Sequence, residues 1–172
     1  MFTLLKLLQS LVKTLHSDGT PGQIAAGVAL GAALGLTPIT NVHNVVILLL
    51  LAVLNVSFAA GLFAWALFVP VGFLLDPLFD RVGHALLVGT PALQPFWTTW
   101  DNTPGLALTN FNNTVVLGSV VGWLVLALPI FALARAGVVR YRATLGERVR
   151  QTYWYRAVTA SRAYNVYRWF HG

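Results

Sequence analysis

The sequence predicts an all-α fold: a polytopic helical membrane protein with a short broken-helix hairpin, two full spanning helices and amphipathic terminal helices. Three observations carry this expectation. Only 9% of the 172 residues are charged while 57% are hydrophobic, whereas a soluble domain carries about a quarter of its residues as charges. That leaves too little polar surface to coat a water-soluble globule. Two stretches, 56–75 and 115–134, hold no charge over a length that crosses a hydrocarbon core. The cations behind the net charge of +6 sit near the two ends of the chain and not along its middle.

Residues 1–19 read as an amphipathic interfacial helix, with Leu4, Leu5, Leu8, Leu11, Val12 and Leu15 on one face and Lys6, Gln9, Ser10 and Lys13 on the other. Charge interrupts the apolar run and no small-residue cleavage site follows, so the segment is expected to be retained.

Residues 20–135 form the predicted transmembrane domain. Thr20-Pro21-Gly22-Gln23 supplies an N-cap hydroxyl, a proline for the first helical position and a glutamine for a capping box, so a helix is expected over 21–36. Gly27, Gly31 and Gly35 make a ridge of small residues on which another helix can close, from this chain or from a second copy in a homo-oligomer. That helix is roughly 24 Å long, short for a core of about 30 Å. Thr37 to Asn44 breaks it at Pro38, and a second short apolar helix is expected over 42–54. Two readings stay open: a pair of thin crossings, or a re-entrant hairpin whose irregular backbone is surrounded by protein.

The first full span is placed at 56–75, with Pro70 inside it. An outer segment follows over 76–111, a short amphipathic helix to Leu87 and then a proline- and tryptophan-rich loop with Trp97 and Trp100 as interfacial anchors. The second span is placed at 112–135, capped by Asn112, Asn113 and Thr114 and closed by Arg135. Residues 136–172 read as a basic aromatic cytoplasmic arm, in which Arg150, Arg156 and Arg168 flank an apolar stripe and meet anionic lipid headgroups. Basic residues interleaved with aromatics also suit RNA, but an arm tethered to a spanning helix meets the inner leaflet first, so no nucleic-acid partner is expected. Lysines and arginines flank the spans at both chain ends, while Arg81 alone lies between them among Asp76, Asp80 and Asp101. Both termini are therefore expected in the cytoplasm.

The stretch from Pro21 to Leu87 resembles a bacterial family known as domain of unknown function 2062. The matching features are the proline-led Gly/Ala helix, Gly35-Leu36-Thr37-Pro38, His43 in the break, Asn55, and Gly83 with Leu86 and Leu87. The resemblance implies a multi-pass protein of the bacterial cytoplasmic (inner) membrane and brings no activity with it. The whole chain looks like a stand-alone branch of that family: members of the main branch usually carry an Asn-Pro pair with a following threonine where this chain has Val69-Pro70 and Gly72, so no role of that asparagine is carried over.

Thr37, Thr40, Asn41, His43 and Asn44 form the densest polar cluster placed at membrane depth. They read either as a binding site at a helix end or as a hydrogen-bonded turn, since polar groups in hydrocarbon cost several kcal/mol unless satisfied. Asp76, Asp80 and His84 share one helical face. A metal would need a further ligand, so the simpler reading is a solvated outer face with Asp80 and His84 paired. With no cysteine, thiolate chemistry and disulfides are excluded. The single glutamate, Glu147, lies in the basic arm, and no Ser/His/Asp constellation falls within one site. No cofactor or metal is expected, and the chain reads as non-enzymatic. Two functions are weighed first, small-solute transport or lipid handling at the polar break, and a scaffold whose outer segment docks a periplasmic or envelope protein; a membrane-embedded enzyme acting on lipid comes third.

Overall fold

The computed structural model describes residues 19–144; the predicted N-terminal helix and the arginines Arg150, Arg156 and Arg168 lie outside the described residues. Within them the chain is all-α, with α1 (Pro21–Leu36), α2 (Val42–Val53), α3 (Phe58–Leu87), α4 (Gln94–Asp101) and α5 (Thr114–Thr144). Single 3-10 turns lie at Pro91–Leu93 and Ala107–Thr109.

The capping box forms at the start of α1. The Thr20 hydroxyl accepts from the Gln23 amide at 3.2 Å, and Gln23 Oε1 accepts from the Thr20 amide at 2.7 Å. Gln23 Nε2 remains free to donate to Asn55 Oδ1 at 2.7 Å, and the Gln23 carbonyl accepts from the Ser57 amide at 3.0 Å. One residue thus caps α1 and also holds the link between α2 and α3 at the same level. The chain therefore goes out along α1 and comes back along α2.

Glycines set how closely the helices approach. Gly27 lies against Ser57, Gly31 against Gly61, and Gly35 against Trp65 and Phe68. The numbers rise together, so α1 runs parallel to α3. A Cβ at Gly31 would overlap the Gly61 carbonyl, and one at Gly72 would meet the backbone of Gly35 and Leu36. The ridge of Gly27, Gly31 and Gly35 is filled by α3 of the same chain and is not available to a second copy. Helix α5 runs antiparallel to α3: Gly83 meets Thr114, Gly118 meets the Phe79 backbone, and Val138 joins Ile24 and Ala60 in one buried cluster. Arg142 Nη2 donates to the Gly19 carbonyl at 2.9 Å, which marks an arginine end of the bundle. Helix α4 and the two 3-10 turns mark the opposite, tryptophan end.

Two predicted boundaries are corrected. The span over 56–75 and the amphipathic stretch after it are one continuous 30-residue helix that runs through Pro70 and Pro77 to Leu87, with no break at Asp76. The packing explains this: Phe79, 2% exposed, and the buried Gly83 carry the contact with α5 past the first charge. Likewise α5 does not stop at Arg135, because Val138 is still buried in the bundle.

The distribution of residue sizes identifies the solvent. The centre is built of small side chains, with Ala25, Ala32, Ala33 and Ala60 fully buried, while Leu74, Leu128 and Phe73 point outward at 81%, 77% and 73% exposure. In water this arrangement would forfeit about 25 cal/mol for every Å² of apolar surface left uncovered. In lipid it is the expected one, since small residues let backbones close and large apolar chains face hydrocarbon. Helices α3 and α5 are both long and apolar enough to cross a membrane and keep most of that surface uncovered. The fold is that of an all-α membrane protein.

Candidate functional site

Pro38 ends α1 by forcing the residue before it into extended geometry, with Thr37 at φ −103° and ψ 147°. The chain turns back beside Gly72, one helical turn below Asp76, the first charged residue of α3. Measured along α3 from Ser57 to Gly72, the α1–α2 hairpin reaches about 22 Å at 1.5 Å per residue. The break therefore lies well towards the tryptophan end of the bundle.

Thr37, Asn41 and Asn44 are buried there and bonded to one another. Thr37 Oγ1 lies 2.8 Å from the Ala33 carbonyl and 2.7 Å from Asn44 Oδ1, so its single proton is shared between two acceptors. The Pro38 carbonyl accepts from Nδ2 of both Asn41, at 2.9 Å, and Asn44, at 2.5 Å. Asn41 holds the N-cap position of α2 without capping it, because its side chain is engaged elsewhere. Its Oδ1 accepts from Asn110 Nδ2 at 2.6 Å. Asn110 is left-handed, at φ 54°, a conformation that asparagine tolerates better than most residues. Thr40 stands apart, exposed on the turn.

His43 differs from its neighbours. Both ring nitrogens are buried without a hydrogen-bond partner among the described residues, and the ring lies near Phe111 at a centroid distance of 6.0 Å. From Phe111 an aromatic ladder continues to Trp100, stacked at 5.7 Å, then to Phe96 at 5.6 Å and Trp97 at 4.8 Å. Trp97 Nε1 donates to the Leu86 carbonyl at 3.0 Å and Trp100 Nε1 to Thr109 Oγ1 at 3.1 Å. The segment after α3 is thus a cap bound to the break through Asn110 and Phe111.

Two cavities adjoin these elements. One, of about 310 Å³, opens at the tryptophan end beside Trp97, Trp100 and Phe111. The other, of about 110 Å³, lies beside the break and is lined by Leu34, Ile39, Asn44, Val45, Leu48 and Trp65. Trp65 Nε1 is buried with no acceptor among the described residues. Nothing in the local sequence around Asn110 and Phe111 signals their role. Trp65 did leave a signal, because a tryptophan in the middle of an apolar run is far from the interfaces where tryptophan usually sits.

The acidic pair does not behave as the spacing predicts. The Asp80 carboxylate accepts from the Thr114 hydroxyl at the start of α5 and ties α3 to α5 across their shared end. Its expected pairing with His84 is replaced by that bond. Among the described residues Asp76, Asp80 and His84 do not gather with one another into a metal-binding group.

Over residues 6–145 the chain matches the bacterial family described as an uncharacterized protein conserved in bacteria, domain of unknown function 2062. It is 30% identical to an uncharacterized protein of Treponema pallidum (strain Nichols) over 142 residues, which cover 83% of this chain and 87% of that protein. No solved structure matches it. The match takes in the capping box, the glycine ridge, the polar break and the start of α5, and the chain belongs to the domain of unknown function 2062 family.

Proposed function

We propose that this chain is a non-enzymatic, multi-pass protein of the bacterial cytoplasmic membrane that holds a lipid in the groove between α2 and α3, with its tryptophan end facing outward. The observation that carries the reading is Trp65, whose indole nitrogen is buried without an acceptor at the wall of the 110 Å³ cavity. A buried donor left unpaired costs about 1–3 kcal/mol, so it favours any occupant that brings an acceptor. Four of the six lining residues are aliphatic. An apolar cavity of the order of 150 Å³ stays dry and takes up small apolar molecules. The ester carbonyl and upper acyl chain of a lipid supply both the acceptor and the apolar body. The outer face of α2 supports this: Val45, Leu49 and Val53 are 58%, 58% and 81% exposed, so the groove borders on lipid.

Solute transport through the break is less favoured, because Thr37, Asn41 and Asn44 already satisfy one another and a polar solute must displace those bonds. Orientation follows the charges. Among the described residues, Arg135, Arg140 and Arg142 lie towards the arginine end of α5, and Arg81 alone of the cations lies towards the other end. The scaffold reading draws on the cap, which the aromatic ladder holds as one body; disruption of residues 89–111 then releases a partner and leaves lipid retention intact.

Native mass spectrometry of protein released from nanodiscs tests the proposal. Wild type retains a phospholipid, Leu48→Trp fills the cavity and loses it, and Trp65→Phe retains less. Equal retention by all three proteins, or none by wild type, contradicts it.

A further inference from the structure

We infer that the 310 Å³ cleft at the tryptophan end is a binding site for a neutral saccharide. The inference is independent of the lipid groove, which lies on the other side of the polar break. Its wall is aromatic, from Trp97, Trp100 and Phe111; of its polar residues, Thr98 and Thr114 donate their hydroxyl protons to Gln94 and Asp80, which leaves Asp101, Asn102 and Asn112 at the rim.

The indole donors make the first argument. A tryptophan that anchors a protein at a membrane surface keeps its N–H for headgroups and water. Here both N–H groups turn inward, to the Leu86 carbonyl and the Thr109 hydroxyl. With those protons engaged, the two indoles offer the cleft carbon surface, one face of Trp100 being already stacked on Phe111. The C–H-rich face of a pyranose stacks on such a surface, because its weakly positive hydrogens meet the negative face of the ring.

The rim makes the second argument. Asp101, Asn102 and Asn112 are all exposed at the cleft. Asn102 Nδ2 donates back to the Thr98 carbonyl at 2.8 Å, which leaves its Oδ1 as an acceptor. Among the described residues the side chains of Asp101 and Asn112 make no hydrogen bond. A carboxylate and two amides beside a flat aromatic wall suit a ligand with hydroxyls around its edge. No lysine or arginine lines the cleft, so phosphorylated or uronic sugars find an acidic wall and no counter-charge. An ammonium group held by aromatic faces is the competing chemistry. It is disfavoured because Trp100 and Phe111 stack on one another at an interplanar angle of 19° and do not splay into a cage. The volume, at the lower end of the roughly 300–1,000 Å³ typical of ligand pockets, suits one or two sugar rings.

The full chain in nanodiscs is titrated with cellobiose and N,N′-diacetylchitobiose, followed by saturation-transfer NMR, with glucose 6-phosphate and tetramethylammonium as contrasts. At least one neutral disaccharide should bind. Asp101→Ala, which removes an exposed group that bonds to no described residue, and Trp97→Ala should each weaken it by about tenfold, the loss expected for one good polar or stacking contact. Thermal unfolding of Asp101→Ala and Trp97→Ala near the wild-type temperature separates lost contact from lost fold. Binding of neither disaccharide, binding that Asp101→Ala and Trp97→Ala both leave unchanged, or preference for tetramethylammonium or glucose 6-phosphate overturns the inference.

Discussion

The side-chain amide of Asn110 donates to Oδ1 of Asn41 at 2.6 Å, joining residues 69 positions apart in sequence. Asn41 lies in the turn between α1 and α2, and Asn110 closes the Ala107–Thr109 turn in the loop that leads into α5. This bond fastens the cap to the hairpin, and it lets Asn41 serve Pro38 and Asn110 at once.

Asn110→Ala leaves the acceptor of Asn41, itself 4% exposed, without its donor. The expected cost is about 1–3 kcal/mol, the range for a buried polar group stripped of its partner. Thermal unfolding in detergent should show this loss. A double-mutant cycle with Asn41→Ala should return a coupling of about 1 kcal/mol.

Gly31 and Gly118 define the closest approaches of α1 to α3 and of α5 to α3, and a Cβ at either would overlap a backbone carbonyl. Gly31→Val and Gly118→Val should prevent folding or destabilise by more than about 4 kcal/mol, as overpacked sites against backbone do. Among the described residues, a Cβ at Gly137 would meet no neighbouring side chain or helix within 4 Å. Gly137→Ala should be neutral or stabilising by up to about 1 kcal/mol, the helix-propensity difference. Yield of folded protein and melting temperature separate the two outcomes.

Thr40 is exposed on the turn at the end of α1, and the chain has no cysteine, so Thr40→Cys is a clean reporter of which face the break meets. A membrane-impermeant maleimide should label it from outside in right-side-out spheroplasts. Labelling only after lysis contradicts the proposed orientation.

Local chemistry made much of this fold legible. Thr20, Pro21 and Gln23 place the start of α1, and Pro38 places its end, because caps and prolines act on their immediate neighbours. The glycine spacing of four predicts close packing and does not say against what; that depended on Gly61 and Gly72 of α3. The end at Leu87 was legible, but the division at Asp76 was not real: Asp76 marks only where charge begins, and one helix continues while Phe79 and Gly83 find α5. The polar cluster was legible as a group, but its division into three bonded residues, an exposed Thr40 and an unpartnered His43 depends on Asn110 and Phe111 far along the chain.

The whole account requires that lipid be the solvent of this fold. Nitroxide labels at Leu67→Cys and Leu128→Cys, positions 55% and 77% exposed on α3 and α5, test it by power-saturation EPR in nanodiscs. Both labels should be readily accessible to oxygen and shielded from a water-soluble nickel complex. Collision with nickel as frequent as with oxygen at either position would contradict the account.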